Sequence, residues 1–118
     1  MKTILNYSPN FENKKRKYKQ IKFLIFHYTG MKSESAAISR LTNIKSKVSS
    51  HYLIKNNGEI ITFVPDLYIA WHAGISFWKN FEFLNKNSIG IEISNPGHNF
   101  DYNRFSKKQI KSILLLSK

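Results

Sequence analysis

Short apolar runs alternate with polar turns along this chain, a pattern typical of a domain that contains both strands and helices. Four consecutive apolar residues at 23–26 predict a strand that is buried on both faces. Strict alternation from Ser88 to Ile93 predicts a further strand, with its isoleucines on one face. Two apolar runs, 48–55 and 59–64, flank Asn56-Asn57-Gly58, and an Asn-Gly pair in this position is a strong hairpin signal.

Two segments show helical spacing. Ser33 fits an N-cap, and apolar residues follow it at helical intervals: Ala37, Ile38, Leu41, Ile44 and Val48. Ser106 and Gln109 have capping-box spacing, and an apolar stripe follows at Ile110, Ile113 and Leu114. The segment 75–87 has no period and is predicted to be a loop. The order β-α-β-β-β-α therefore predicts a mixed α/β fold, a central mixed sheet flanked by helices.

Length and composition indicate one folded domain. The chain has 118 residues, 42% of them hydrophobic. We predict a basic, extended lead-in at 1–20 and the domain proper at 21–118. Cysteine is absent, which excludes a disulfide framework and a thiolate metal site. Any metal would have to be bound by the four histidines or the seven acidic residues.

The net charge of +12 invites a nucleic-acid interpretation, but the residue types argue against it. Only three of the 19 basic residues are arginine, the preferred reader of bases and phosphates. Abundant Lys, Asn and Ile instead reflect AT-rich coding. The cluster at 14–19 is predicted to be a solvated loop or tail, with loose attraction to anionic polymers such as cell-wall material as the alternative.

The apolar runs are also too short for a membrane span, which needs about 20 residues. The start of the chain lacks the apolar core of a signal peptide. As written, the product is predicted to be cytoplasmic; a different true N-terminus would leave the periplasm open.

Two residues stand out as candidates for chemistry. His27 lies where the first strand runs out toward solvent, a placement that suits a metal ligand or an acid/base group, or simply a histidine bonded to backbone. Glu92 shares a strand face with Gly90. Glycine weakens a strand interior, so it makes sense there if a ligand lies against the backbone beside the acid. Glu92 would then be a general base; otherwise it faces solvent.

The other histidines carry weaker signals. Trp71, His72 and the two small residues after them suggest a pocket wall with a polar handle, or a core tryptophan beside a loop histidine. His51 is predicted to be structural, buried and hydrogen-bonded. His98 is predicted to lie in an exposed loop.

Six segments in order resemble the zinc-dependent N-acetylmuramoyl-L-alanine amidases, and more specifically their AmpD/AmiD-like branch, relatives of phage amidases and peptidoglycan recognition proteins. They are Phe23 to Gly30 (FLIFHYTG), Val48 to Lys55 (VSSHYLIK), Gly58 to Ile60 (GEI), Val64-Pro65, Ala70 to Gly74 (AWHAG) and Asn87 to Gly97 (NSIGIEISNPG). Each motif alone is weak, and their shared order makes the resemblance specific.

The resemblance implies a peptidoglycan hydrolase that cleaves the amide between N-acetylmuramic acid and L-alanine of the stem peptide, in cell-wall degradation or turnover. It implies zinc as cofactor, His27 as a zinc ligand and Glu92 as the catalytic carboxylate. The expected partner is peptidoglycan or a muropeptide, without nucleic acid. Four residues are expected to contact this substrate: Trp71, His72, Gly90 and Asn95.

The chain also departs from the family pattern. The family's other two zinc ligands and a helpful basic residue lie in a Gly-His-x-Asp-Ile-Ala-Pro-like segment after the helix that starts here at Ser106. We therefore expect a C-terminally truncated domain that lacks its last strand and metal-ligand loop, binds zinc weakly and is inactive or very weakly active. The alternatives are a non-catalytic muropeptide binder, a nucleic-acid-binding protein and a remnant that does not fold stably.

Overall fold

A computed structural model describes residues 3–31, 33–72, 77–78, 81–82, 84–94 and 107–117. Within these ranges the α-helices are α1 (Glu34–Thr42) and α2 (Lys107–Leu116). The strands described in the same ranges are β1 (Ile4–Leu5), β2 (Phe11–Glu12), β3 (Phe23–Tyr28), β4 (Tyr52–Ile54), β5 (Ile60–Thr62), β6 (Ile69–Ala70), β7 (Phe77–Trp78), β8 (Phe81–Glu82) and β9 (Ser88–Ile93). Short 3-10 turns occupy Tyr18–Gln20, Ile44–Ser46 and Leu84–Asn87.

The main sheet has the strand order β1-β5-β4-β9-β3 and is mixed, as predicted. β9 lies between β3 and β4 and is parallel to both, whereas β4 and β5 form an antiparallel hairpin. Ile89, Ile91 and Ile93 pack on the α2 side of this sheet together with Ile54 and Ile60. The opposite face packs around Leu41 of α1, with Leu53, Ile61 and Phe63. The mixed α/β prediction is confirmed.

The prediction of a strand buried on both faces is wrong for β3. Among the described residues this strand forms one edge of the sheet. Leu24, Phe26 and Tyr28 share one face and are 41–44% exposed, while the alternate residues are half-buried. A run of apolar residues carries no periodicity from which burial on one face could be told from burial on two.

The predicted lead-in at 1–20 is extended in its described part, but it pairs with strands of the domain. β1 pairs with β5, and β2 pairs with β6. Arg16, predicted to lie in a solvated cluster, is instead 6% exposed. The predicted loop at 75–87 contains the β7–β8 pair and a 3-10 turn within its described part.

The first predicted helix is confirmed, with Ser33 as its N-cap accepting from the Ala36 amide at 3.2 Å. It ends at Thr42, however, so the predicted positions Ile44 and Val48 lie beyond it. α2 differs from its predicted pattern. Its buried residues are Gln109 and Ser112, and Ile113 packs on the sheet, whereas Ile110 and Leu114 are exposed. The Gln109 amide donates to the Ser94 carbonyl at 2.9 Å. Ser106, the predicted cap, lies outside the described residues.

Gly58 in the hairpin turn is the first site for a stability test. Its φ is +87°, and a Cβ there would lie 2.7 Å from the Lys108 Cβ of α2. Because both the backbone angle and the helix oppose a side chain, we expect Gly58→Ala to cost about 2 kcal/mol of unfolding free energy. Urea unfolding measures this, with Lys111→Ala at an exposed position of α2 as control. An unchanged midpoint would contradict the expectation.

Candidate functional site

Parallel pairing of β3 with β9 brings the two leading candidates together. His27 is the register partner of Glu92, and Ile25 is that of Gly90. Paired residues in adjacent strands point to the same face, so the imidazole and the carboxyl group lie on one side of the sheet. The prediction that Gly90 and Glu92 lie opposite the strand's isoleucines is confirmed.

Glu92 is a half-buried acid, and one of its carboxyl oxygens is shielded from water. Within the part of the chain that the structure describes, its Oε2 is buried and has no hydrogen-bond partner. Burial raises the pKa of Glu92 to about 7, and the positive charge of Arg40 opposes this only in part. A carboxyl group with a pKa near neutrality is suited to accept and return a proton.

The His72 ring lies between the side chains of His27 in β3 and Ser88 in β9. Its Nδ1 is 3.2 Å from His27 Nε2, and its Nε2 is 3.0 Å from Ser88 Oγ. Burial lowers the pKa of His27, and burial with nearby positive groups lowers that of His72 to about 3. Both rings are therefore neutral at neutral pH, and each carries a single N–H. The two hydrogen bonds that join His27, His72 and Ser88 must then donate in the same direction, either from His27 toward Ser88 or the reverse.

The structure gives a reason for glycine at position 90 other than the predicted ligand. A Cβ on Gly90 would lie 2.7 Å from His72 Nδ1, and closer still to other ring atoms. The imidazole of His72, not a ligand, thus lies against this backbone. The residue is small because a side chain must pack on it.

His51 is structural, as predicted. It is fully buried, and its Nδ1 accepts from the Gly90 amide at 3.0 Å. Its Nε2 must then hold the proton, which it donates to the Tyr68 carbonyl at 2.8 Å. Burial lowers the pKa of His51 to about 4, so the ring stays neutral.

The remaining predicted site residues are only partly placed. Trp71 is half-buried beside His72, and its amide donates to Ser49 Oγ at 3.0 Å. Asn95 and His98 lie outside the described residues.

Two neighbours of His72 were missed by sequence reasoning. Ser88 contacts the His72 ring, and the Asn85 side chain accepts from the His72 amide at 3.0 Å. Strand alternation places Ser88 on the face of Gly90 and Glu92, and this signal could have identified it. Asn85 has no such signal, because it lies in a 3-10 turn outside any strand.

The described residues do not form a zinc site by themselves. A catalytic zinc takes three protein ligands, whereas no group of three His, Cys, Asp or Glu side chains suited to a metal occurs among them. His27 would supply one ligand, and its Nε2 faces His72. No helix within the described ranges is long and apolar enough to cross a bilayer.

Comparison with known proteins agrees with this geometry. Residues 17–118 match the N-acetylmuramoyl-L-alanine amidase family. This chain belongs to that family. The predicted resemblance is therefore confirmed.

Two relatives, one compared by sequence and by structure and the other by structure alone, illustrate the likeness to the amidase family. AmiD of Escherichia coli K12 is 38% identical over 113 residues, 86% of this chain and 40% of AmiD. The structure of E. coli AmiD, in complex with the substrate anhydro-N-acetylmuramic acid-L-Ala-D-γ-Glu-L-Lys, has a TM-score of 0.72 at 35% identity, covering 89% of this chain and 44% of that one. AmpDh3 of Pseudomonas aeruginosa has a TM-score of 0.75 at 30% identity, covering 98% and 50%. The chain thus spans about two-fifths of the length of AmiD.

Proposed function

We propose that this chain carries part of the active site of an amidase that hydrolyses the bond between N-acetylmuramic acid and the L-alanine of a stem peptide. The observation that supports this proposal most is the position of Glu92 beside His27, with its Oε2 buried and lacking a hydrogen-bond partner among the described residues. Glu92 accepts a proton from the attacking water and returns it to the leaving amine of L-alanine. Its pKa of about 7 suits both halves of this transfer.

The substrate is an anhydromuropeptide in this proposal, because the solved structure of E. coli AmiD is a complex with one. Trp71 lines the groove beside the scissile bond. His72 is held against His27 and therefore shapes the same edge of the groove. Zinc is part of the proposal as the family's cofactor, with His27 as one ligand.

The test is release of L-alanine-terminated peptide from an anhydromuramyl tripeptide, measured with the 118-residue chain and added zinc. We expect slow turnover that Glu92→Gln lowers by about 100-fold or more, the usual contribution of a general acid–base group. Glu12→Gln, a change at an exposed carboxylate, should leave the rate unchanged. Equal rates for Glu92→Gln and the unmodified chain would contradict the proposed role.

A second candidate is a muropeptide-binding protein without catalysis. It is favoured because the described residues contain no group of three side chains that could bind a metal ion. Titration of the same tripeptide with zinc chelated separates the two functions. Retained binding together with no turnover in the presence of zinc would support the binder.

A further inference from the structure

Arg16 is a buried arginine with an unusual set of acceptors. Its Nε and Nη2 donate to the Asp66 carbonyl at 3.1 and 2.9 Å. Its Nη1 donates to the carbonyls of Asn85 and Lys86 at 3.0 and 3.1 Å. Among the described residues, every oxygen that the guanidinium contacts belongs to the main chain. The planar fork thus joins two segments that are distant in sequence, the turn at 66–68 and the 3-10 turn at 84–87.

The 3-10 turn at 84–87 is hydrogen-bonded to the main chain of His72. The Asn85 side chain accepts from the His72 amide at 3.0 Å. The next residue after the turn, Ser88, holds the far ring nitrogen of His72 at 3.0 Å. A displaced 3-10 turn would therefore move both Asn85 and Ser88, the two partners that orient His72 toward His27.

The other segment holds His51. The Tyr68 carbonyl accepts from His51 Nε2, and Arg16 Nη2 lies 3.2 Å from the same nitrogen. Since Nε2 is the protonated nitrogen, this last approach is a contact between two donors and not a hydrogen bond. It is tolerated because Nη2 has another acceptor, the Asp66 carbonyl, to which it donates one of its two N–H groups. The position of the guanidinium is thus set by the carbonyls, not by the histidine.

We propose that Arg16 is a positioning residue: its guanidinium ties the 66–68 turn to the 84–87 turn and thereby fixes His72 against His27. The effect of Arg16 on the position of His72 follows from these contacts alone. The effect of Arg16 on turnover rests on the proposed amidase function.

The test compares hydrogen exchange of two amides in Arg16→Lys. An ammonium group keeps the charge but lacks the fork that reaches both turns. Hydrogen bonds to a charged group are stronger than those between neutral groups, so we expect the His72 amide to exchange about tenfold faster or more once they are lost. The Ser94 amide, which donates to Ile54 in the main sheet, should change by less than about twofold. Lys14→Met, at an exposed neighbour, should change neither.

Equal acceleration at both amides, or at neither, would overturn the proposal, because a purely stabilising arginine would lower protection throughout the sheet. Asn85→Ala supplies the second variant if Arg16→Lys does not fold. It removes only the last link, so it should accelerate exchange at His72 but not at the Arg16 amide, which donates to the Leu67 carbonyl. Acceleration at both of these amides would also count against the proposal.

Turnover of the anhydromuramyl tripeptide provides a separate readout. Arg16→Lys should lower kcat more than it raises KM, since a displaced His72 alters the site without removing a group that holds the substrate. Absence of turnover in the unmodified chain would count against the amidase function, whereas the exchange result alone decides the positioning role.

Discussion

Glu92→Gln should make the folded chain more stable by about 3 kcal/mol near pH 8, although it removes the proposed general base. Burial raises the pKa of Glu92 from 4.5 to about 7 in the folded chain. The folded state therefore holds this proton more tightly than the unfolded state does. Stability falls as the pH rises between these two pKa values, and glutamine is free of that loss.

Urea unfolding across a pH series measures this effect. The advantage of the glutamine variant should be fully present above about pH 7.5 and should fall below about 1 kcal/mol at pH 4, where Glu92 is protonated in both states. Glu12→Gln, at an exposed carboxylate, should show no such trend. A glutamine variant that is less stable near pH 8 would mean that the carboxylate has a partner in solution.

A variant that is more stable and less active would mark Glu92 as a functional residue and not as part of the scaffold. A carboxyl group whose desolvation is only partly offset by Arg40 is not retained for stability, since removing it stabilises the fold. The same burial brings its pKa close to the pH at which a general base works best. Stability and turnover therefore respond to one physical cause, the desolvation of this carboxyl group.

The main elements of this site could be predicted because they depend on local patterns. The alternation of Ser88–Ile93 fixed the face of Glu92, and the Asn-Gly signal located the β4–β5 hairpin. Both patterns repeat within a few residues, so one sequence is enough to read them. The pairing of His27 with Glu92 could not be read in this way, because register between distant parallel strands is set by the whole sheet. The family resemblance supplied that link.

Arg16 shows where sequence reasoning fails. A basic residue flanked by lysines is typical of a solvated segment, and nothing in its neighbours signals burial. Its acceptors are carbonyl groups at 66, 85 and 86, and main-chain carbonyls have no residue-specific signature. The partners exist only once the fold has formed. The strands β1 and β2 were missed for a related reason, since each has two residues and shows no periodicity.

Gly90→Ala is expected to have the second large effect, a loss of about 2–3 kcal/mol through overpacking. Gly90 has no positive φ, so its backbone accepts alanine and the cost is steric. The new Cβ overlaps the His72 ring. That ring cannot withdraw freely, because His27 and Ser88 hold its two nitrogens. Urea unfolding would show the loss, and the ring resonances of His27 should shift as its partner moves away.

A double-mutant cycle with His72→Ala isolates this cause. Once the imidazole is absent, the new methyl group has room, and alanine in a strand is about 0.5–1 kcal/mol better than glycine. Gly90→Ala should therefore be neutral or stabilising in the His72→Ala background. An equal loss in both backgrounds would mean that something other than His72 requires glycine at this position. The sign of the difference thus decides whether the strand carries glycine for the histidine that lies against it.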